Sequence, residues 1–496
     1  MEKKAYPKFI GVQSSTSRPV TEQVFDDDDP IIVQSFSEEV KLEDSIRSSI
    51  RFCFDHVQLD SSTAQEIPAC LYIESGTEGN PISGRPGVDL VLVIDISGSM
   101  MGPKIDLVKK TIEFTITKLS PSDRVSLVTF NNSTTRLCPL LSMTDRNKAR
   151  VILLSNQMKA FGGTELVEGM NVGLKVLAHR KITNSVSSVL LLSDGKDNNS
   201  HSALPRAKEI LLRSVHEVNS GFSIHTFGYG GDHDATLLNA MAEEKNGGFY
   251  FLEQESSIPV IFSNCLGELI SVVADNIQVD LEPLPCEIPF ELGKVYSETL
   301  TRNFRMPPVI SGDSKAAVFL LNFPKTIPDI GQALEITPIK ATVTYKVMKT
   351  GRVYADECFL KIRVFPEGAQ IEDIQLDADV MINFYRVKAA DVMKEAARVA
   401  DQGNVAHAKD LLSSCMAELA SCIVHDSETL VQIVSDLQEA IQKLPNQAAY
   451  EVGGRADIVS KARNHWAKRA VKPGTYQNHT QTVLNIECED FSKNKH

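Results

Sequence analysis

Val88-Asp89-Leu90-Val91-Leu92-Val93-Ile94 runs directly into Asp95-Ile96-Ser97-Gly98-Ser99-Met100. The first stretch is almost entirely valine, leucine and isoleucine, with no polar alternation. That pattern marks a strand buried on both faces, as in a parallel sheet. Further strands are expected at residues 125–130, 188–192, 222–227 and 248–252. Between them, apolar residues recur at helical spacing over 105–119, 146–158, 166–178, 204–218 and 235–242, with a closing helix over 258–273. Strands alternating with helices of this length predict an α/β domain over residues 86–275, built on a doubly wound, mostly parallel, Rossmann-like sheet.

The flanks read differently. Residues 1–45 carry the acidic run 26–29 and are expected to form a disordered, solvated tail. Residues 46–85 hold strand-like stretches at 50–57 and 67–74, then a Gly/Pro/Ser-rich loop from 76 to 86. Residues 276–368 alternate as strands, for instance Ala341-Thr342-Val343-Thr344-Tyr345-Lys346-Val347, and predict an antiparallel β-sandwich. The two strands of 46–85 are too few to fold alone and are expected to join it. Residues 376–444 are expected to form three helices, the first ended by Gly403 and the third opened by Ser427 and followed by Pro445. Periodicity fades after Pro445, so 445–496, with Trp466 in the basic patch 461–472, is expected to be a flexible tail with a docking element.

Of 496 residues, 42% are apolar and 23% charged, the composition of a soluble globular chain of two to four domains. The net charge of −13 gives nucleic-acid binding no electrostatic support. The first residues lack the apolar core of a signal peptide, and no apolar run reaches the roughly 20 residues of a membrane helix. The nine cysteines are scattered, and none shows CxxC spacing. A reduced, cytoplasmic setting is the expectation, with no membrane insertion.

Asp95 leaves its strand at the carboxyl end, where ligands of doubly wound sheets bind. Gly98 allows the tight turn that brings Ser97 and Ser99 together. The helix from Lys104 onward points its N-terminus at the same crevice. Farther along, Phe161-Gly162-Gly163-Thr164 precedes a helix, and Leu191-Leu192-Ser193-Asp194-Gly195 ends a strand. Asp95, Ser97 and Ser99 therefore stand together where a site should be.

Asp-x-Ser-x-Ser after an apolar strand, with a later Gly-Gly-Thr and Ser-Asp-Gly, resembles the metal-ion-dependent adhesion site of von Willebrand factor A (VWA) domains. The resemblance covers about residues 86–275. It implies Mg2+ (or Mn2+ or Ca2+) held directly by Ser97, Ser99 and Thr164, with Asp95 and Asp194 acting through water. An ion so held is electron-poor, and an Asp or Glu carboxylate of a protein partner is expected to complete its coordination. The residues at 228–234 and 247–250 are also similar to family members.

The whole layout resembles multidomain plant and protist VWA proteins, with residues 385–419 similar to their VWA/Hedgehog-intein-like helical region. Some such relatives carry a RING finger. Here only Cys53 and Cys70 precede the α/β domain, so a non-enzymatic role is expected, with substrate recognition in a ubiquitin-ligase complex or an accessory role in an ATPase complex as the alternative. A third reading is a secreted matrix-type protein similar to inter-alpha-trypsin inhibitor heavy chains.

Other candidates have plainer readings. Asp234 is expected to cap the helix from Ala235, not to bind metal with His233. His56, His179, His225, His407 and His425 show no ligand spacing. Cys138 and Cys265 are expected to be buried apolar residues, not nucleophiles. No Gly-x-Ser-x-Gly elbow precedes Ser193, and no P-loop motif occurs.

Overall fold

The computed structural model describes residues 25–32, 46–58, 64–76, 85–218, 221–254, 257–297, 301–324, 330–366, 369, 375–421, 427–471 and 475–494. Three strands come first: β1 (Ile46–Phe52), β2 (His56–Gln58) and β3 (Gln65–Ser75). Then β4 (Val88–Asp95), β5 (Arg124–Phe130), β6 (Thr134–Ser142), β7 (Val186–Ser193), β8 (Ser223–Tyr229) and β9 (Phe249–Leu252) form one sheet in the order β6-β5-β4-β7-β8-β9. All its pairings are parallel except β5 with β6. β6 was not expected from the sequence: it carries Pro139 at a register shift, which an edge strand tolerates because one row of its amides is unpaired in the ladder.

Helices cover both faces of this sheet. On one side α1 (Pro103–Lys118) packs with residues of α2 (Asp145–Asn156) and α6 (Ile258–Ile270). On the other lie α3 (Leu166–Ala178), α4 (Ser200–Glu217) and α5 (Ala235–Glu244). Burial on both faces explains the unbroken apolar run of β4. Its one charged interior residue, Asp89, sits between Arg124 (2.7 Å) and Arg180 (2.5 Å). Burial alone would raise its pKa; the two guanidiniums outweigh that and hold it below the usual range.

The closing helix stops at Ile270, three residues earlier than expected, because Val272 already begins β10 (Val272–Pro283). β11 (Glu291–Val295), β12 (Asn303–Met306), β13 (Val309–Ile310), β14 (Ser314–Phe323), β15 (Leu334–Val347) and β16 (Val353–Phe365) follow. Two sheets result, ordered β1-β3-β14-β11 and β12-β10-β15-β16-β2, with β13 beside β10. Every pairing is antiparallel except β16 with β2. The sheets share one core, to which β3 and β14 contribute Leu71, Ile73, Phe319 and Leu321.

A helical bundle follows: α7 (Ala378–Asp401), α8 (Val405–Ala420) and α9 (Glu428–Gln442), then a single turn α10 (Gln447–Ala449), α11 (Arg455–Ala467) and α12 (His479–Asn494). The described residues after Pro445 are therefore not a flexible tail. α11 is wedged between β9 and the bundle, and its polar residues Ser460, Arg463, Asn464 and His465 are buried. Buried polar residues on several sides erase the amphipathic period that would have announced a helix. The basic patch is consumed internally: Lys461 pairs with Glu439 and Asp457, Lys468 with Asp313, and Arg469 with Glu268. Lys472 lies outside the described residues.

The acidic run is also a correction. Residues 25–32 run along β6. Asp29 N–H donates to Leu140 O, while Leu140 N–H donates to Asp28 and Ser142 N–H to Asp29. Phe25 is buried in the core beside α3 and lies under the Arg136 guanidinium, which also pairs with Asp27. An anchoring aromatic plus specific hydrogen bonds offsets the ordering cost that composition alone would leave unmet. Residues 1–24 and 33–45, and His425, lie outside the described residues.

Candidate metal centre

Chain order places the site. From β4 the chain moves to β5 and β6 on one side, then returns to β7 on the other. Crevices in doubly wound sheets open at such a reversal, beyond the strands' carboxyl ends. Asp95 is the last residue of β4, and Asp194 follows directly on β7.

Hydrogen bonds through Ser97 and Ser99 link their side chains. Ser97 N–H donates to Asp95 Oδ1 at 2.7 Å, and Ser193 Oγ–H donates to Asp95 Oδ2 at 2.5 Å. The Ser97 and Ser99 hydroxyls are 3.0 Å apart, and Ser99 Oγ–H donates to Asp194 Oδ1 at 2.6 Å. Thr164 is brought to the same end by its loop: Gly98 N–H donates to Gly162 O, Thr164 N–H to Asn198 Oδ1, and Asn198 N–H to Thr164 O. Gly162 has φ of 82°, a left-handed value suited to glycine. A Cβ on Gly195, next to Asp194, would stand 3.2 Å from Thr164 Oγ1.

Asp95 is fully buried. Burial, with Asp194 adding, pushes its carboxyl up to about 6, against hydrogen bonds from Ser193 and Ser97 that pull it down. A buried carboxylate under this strain favours a nearby positive charge. At the other carboxylate a positive charge is present: Lys104 Nζ lies 2.6 Å from Asp194 Oδ2, over the Tyr229 ring at 4.7 Å. Two carboxylates and two serine hydroxyls linked in this way, with Thr164 on the neighbouring loop, are hard-oxygen donors of the kind a divalent cation takes. Among the described residues, no group of three or more His, Cys, Asp and Glu side chains converges to hold an ion, so a cation at this place would rest on the hydroxyls as well as the two carboxylates.

Sequence reasoning missed three parts of the site. Ser193 supports Asp95, and its place two residues before Gly195 was the available signal. Lys104 was read only as part of a helix. Met101 and Phe161 flank the crevice on its two loops and are 65% and 59% exposed. The plainer candidates fall elsewhere. Asp234 Oδ1 accepts from Leu237 N–H and caps α5. His179 Nδ1 accepts from Phe25 N–H, and Cys138 and Cys265 are buried with pKa values raised by burial.

Residues 89–264 match the family model of the von Willebrand factor type A domain. This part of the chain is a VWA domain. E3 ubiquitin-protein ligase WAV3 of Arabidopsis thaliana is 25% identical over 366 residues, 71% of this chain and 45% of its own. Inter-alpha-trypsin inhibitor heavy chain H4 of Homo sapiens is 30% identical over 228 residues, 44% of this chain and 23% of that one. The chain thus spans less than half the length of either relative.

Two solved structures share the fold well beyond the VWA domain. The von Willebrand factor type A protein from Catenulispora acidiphila has a TM-score of 0.56 at 15% identity, covering 83% of this chain and 97% of that one. The ArnB paralog VWA2 from Sulfolobus acidocaldarius has a TM-score of 0.52 at 17% identity, covering 86% and 100%. This chain has the VWA fold with added sheets and a C-terminal helical region, and the likeness in fold to each of the two covers more than four fifths of it.

Proposed function

We propose that this chain is a metal-dependent protein-binding module, with Asp95, Ser97, Ser99, Thr164 and Asp194 holding one divalent cation, Mg2+ first among candidates. The carrying observation is the joined cluster of Asp95, Ser97, Ser99 and Asp194 oxygens at the reversal point of the sheet. Ser97, Ser99 and Thr164 would hold the ion through their hydroxyl oxygens, while Asp95 and Asp194 would supply the negative charge. When bound, the ion offers an electrophilic position to an outside carboxylate. A partner's Asp or Glu takes that position, and the exposed Met101 and Phe161 give its neighbouring residues apolar contact.

A second reading is favoured by the match to WAV3, which covers most of this chain: substrate recognition within ubiquitin-transfer machinery. We assign this chain the recognition role and not the transfer chemistry. Cys53 and Cys70 are buried in the β-sandwich core, and among the described residues they belong to no group of metal-ligating side chains. Among the described residues no helix is long and apolar enough to cross a membrane.

The test is affinity capture with Mg2+, with EDTA, and with Mg2+ restored, using the wild type, Asp95→Ala and Thr164→Ala. One set of partners is expected to vanish with EDTA and in both variants, and to return with Mg2+ for the wild type alone, while circular dichroism stays unchanged. Capture indifferent to EDTA and to both substitutions overturns the reading.

A further inference from the structure

Both oxygens of Asp194 are already engaged from within the chain. Ser99 Oγ–H takes Oδ1, and the Lys104 ammonium takes Oδ2, each at 2.6 Å. Asp194 is buried, and Lys104 reaches it from the first turn of α1, just after Gly102 with φ of 86°. The Tyr229 ring face lies 4.7 Å from Nζ and gives the ammonium a second attractive surface. Lys104 is therefore a tethered cation at the place where a divalent ion is expected.

We infer that Lys104 is an internal competitor that weakens divalent-ion binding at this site and keeps the loaded site positively charged. This rests on the metal-site reading above. The two carboxylates and one ammonium sum to a single formal negative charge. A divalent ion brings the sum to one positive charge, which an acidic partner side chain cancels. Without Lys104 the loaded site would be neutral and would gain less from a carboxylate. Like charges a few ångströms apart repel strongly in a half-buried site. Lys104 thus trades ion affinity for attraction to an acidic partner.

The experiment is calorimetric titration of the full chain with MnCl2, comparing the wild type, Lys104→Met and Lys104→Arg, with Mn2+ electron paramagnetic resonance as an independent count of bound ion. Lys104→Met is expected to bind Mn2+ at least roughly tenfold more tightly, and Lys104→Arg as the wild type does. Equal affinity in Lys104→Met overturns the competitor role. Weaker affinity also overturns it, because Lys104 would then be orienting Asp194 for the ion. If none of the three proteins binds Mn2+, the metal-site reading itself fails. Thermal unfolding in EDTA shows whether each variant is folded, and a folded Lys104→Ala replaces Lys104→Met if the latter is not.

Discussion

Arg469 Nε donates to Glu268 Oε1 at 3.0 Å, with both side chains buried, and so joins the segment after α11 to the closing helix of the VWA domain. Arg469 also donates to the Asn246 and Gly247 carbonyls. Burial favours neither charge, but Arg469 outweighs it for Glu268, whose carboxyl is held below the usual range. Removing one partner leaves the other charged and unpaired inside the protein. Arg469→Met is expected to cost about 3–5 kcal/mol. The check is guanidinium unfolding, with hydrogen exchange showing α11 and β9 losing protection first.

Asp89 supports the opposite end of the VWA sheet from the metal centre. It takes Arg124 and Arg180 together, and Asn184 through its backbone and side-chain amides. Asp89→Ala strands two buried guanidiniums. A loss of roughly 3–5 kcal/mol is expected, without any change in metal affinity of the folded fraction. A metal affinity that moved with this substitution would mean the two ends of β4 are coupled.

His225 sets a pH dependence. It is fully buried, and burial depresses its pKa to about 3, with Arg469 and Arg463 adding and Glu268 opposing. Gly248 N–H donates to its Nδ1 at 3.2 Å, so the ring is held neutral with its proton on Nε2. In the unfolded chain the ring takes a proton near pH 6.5. Below that pH the unfolded state binds the extra proton, so this group's contribution is full above about 6.5 and is lost as pH falls toward 3. His225→Gln is expected to flatten the acid limb of stability against pH by up to about 1.4 kcal/mol per pH unit between 6.5 and 4. Identical slopes for both proteins would assign the acid sensitivity to other groups.

Phe161 separates partner contact from ion binding. Its ring is exposed, while its backbone N–H donates to Ile96 O and so helps hold the site's two loops together. Phe161→Ser keeps that backbone bond. Mn2+ affinity is expected to stay within about twofold, while retention of Mg2+-dependent partners falls about tenfold or more, as for loss of an aromatic anchor. Unchanged retention would place the partner elsewhere on the rim.

The VWA part was legible because its signals are local. An apolar run as uniform as that of β4 needs cover on both faces, and motif residues at strand ends have little freedom to go elsewhere. The elements missed depend on distant partners. β6 looks half polar because it is an edge, and α11 looks irregular because β9, α7 and α9 supply partners for its polar residues. Residues 25–32 look solvated until Leu140, Ser142 and Arg136 are seen beside them. Lys104 escaped notice for the same reason: 90 residues separate it from the carboxylate it meets.

The segment 25–32 along β6 and helix α11 along β9 have a joint effect. Part of each border strand of the VWA sheet is covered: Leu140 and Ser142 by the acidic run, Phe249 and Phe251 by Ser460 and Asn464. A strand adding to either margin of this sheet would have to displace those contacts, which disfavours recruitment by sheet extension there. A partner of this sheet is thereby turned away from its covered margins and toward the carboxyl end that carries Asp95 and Asp194.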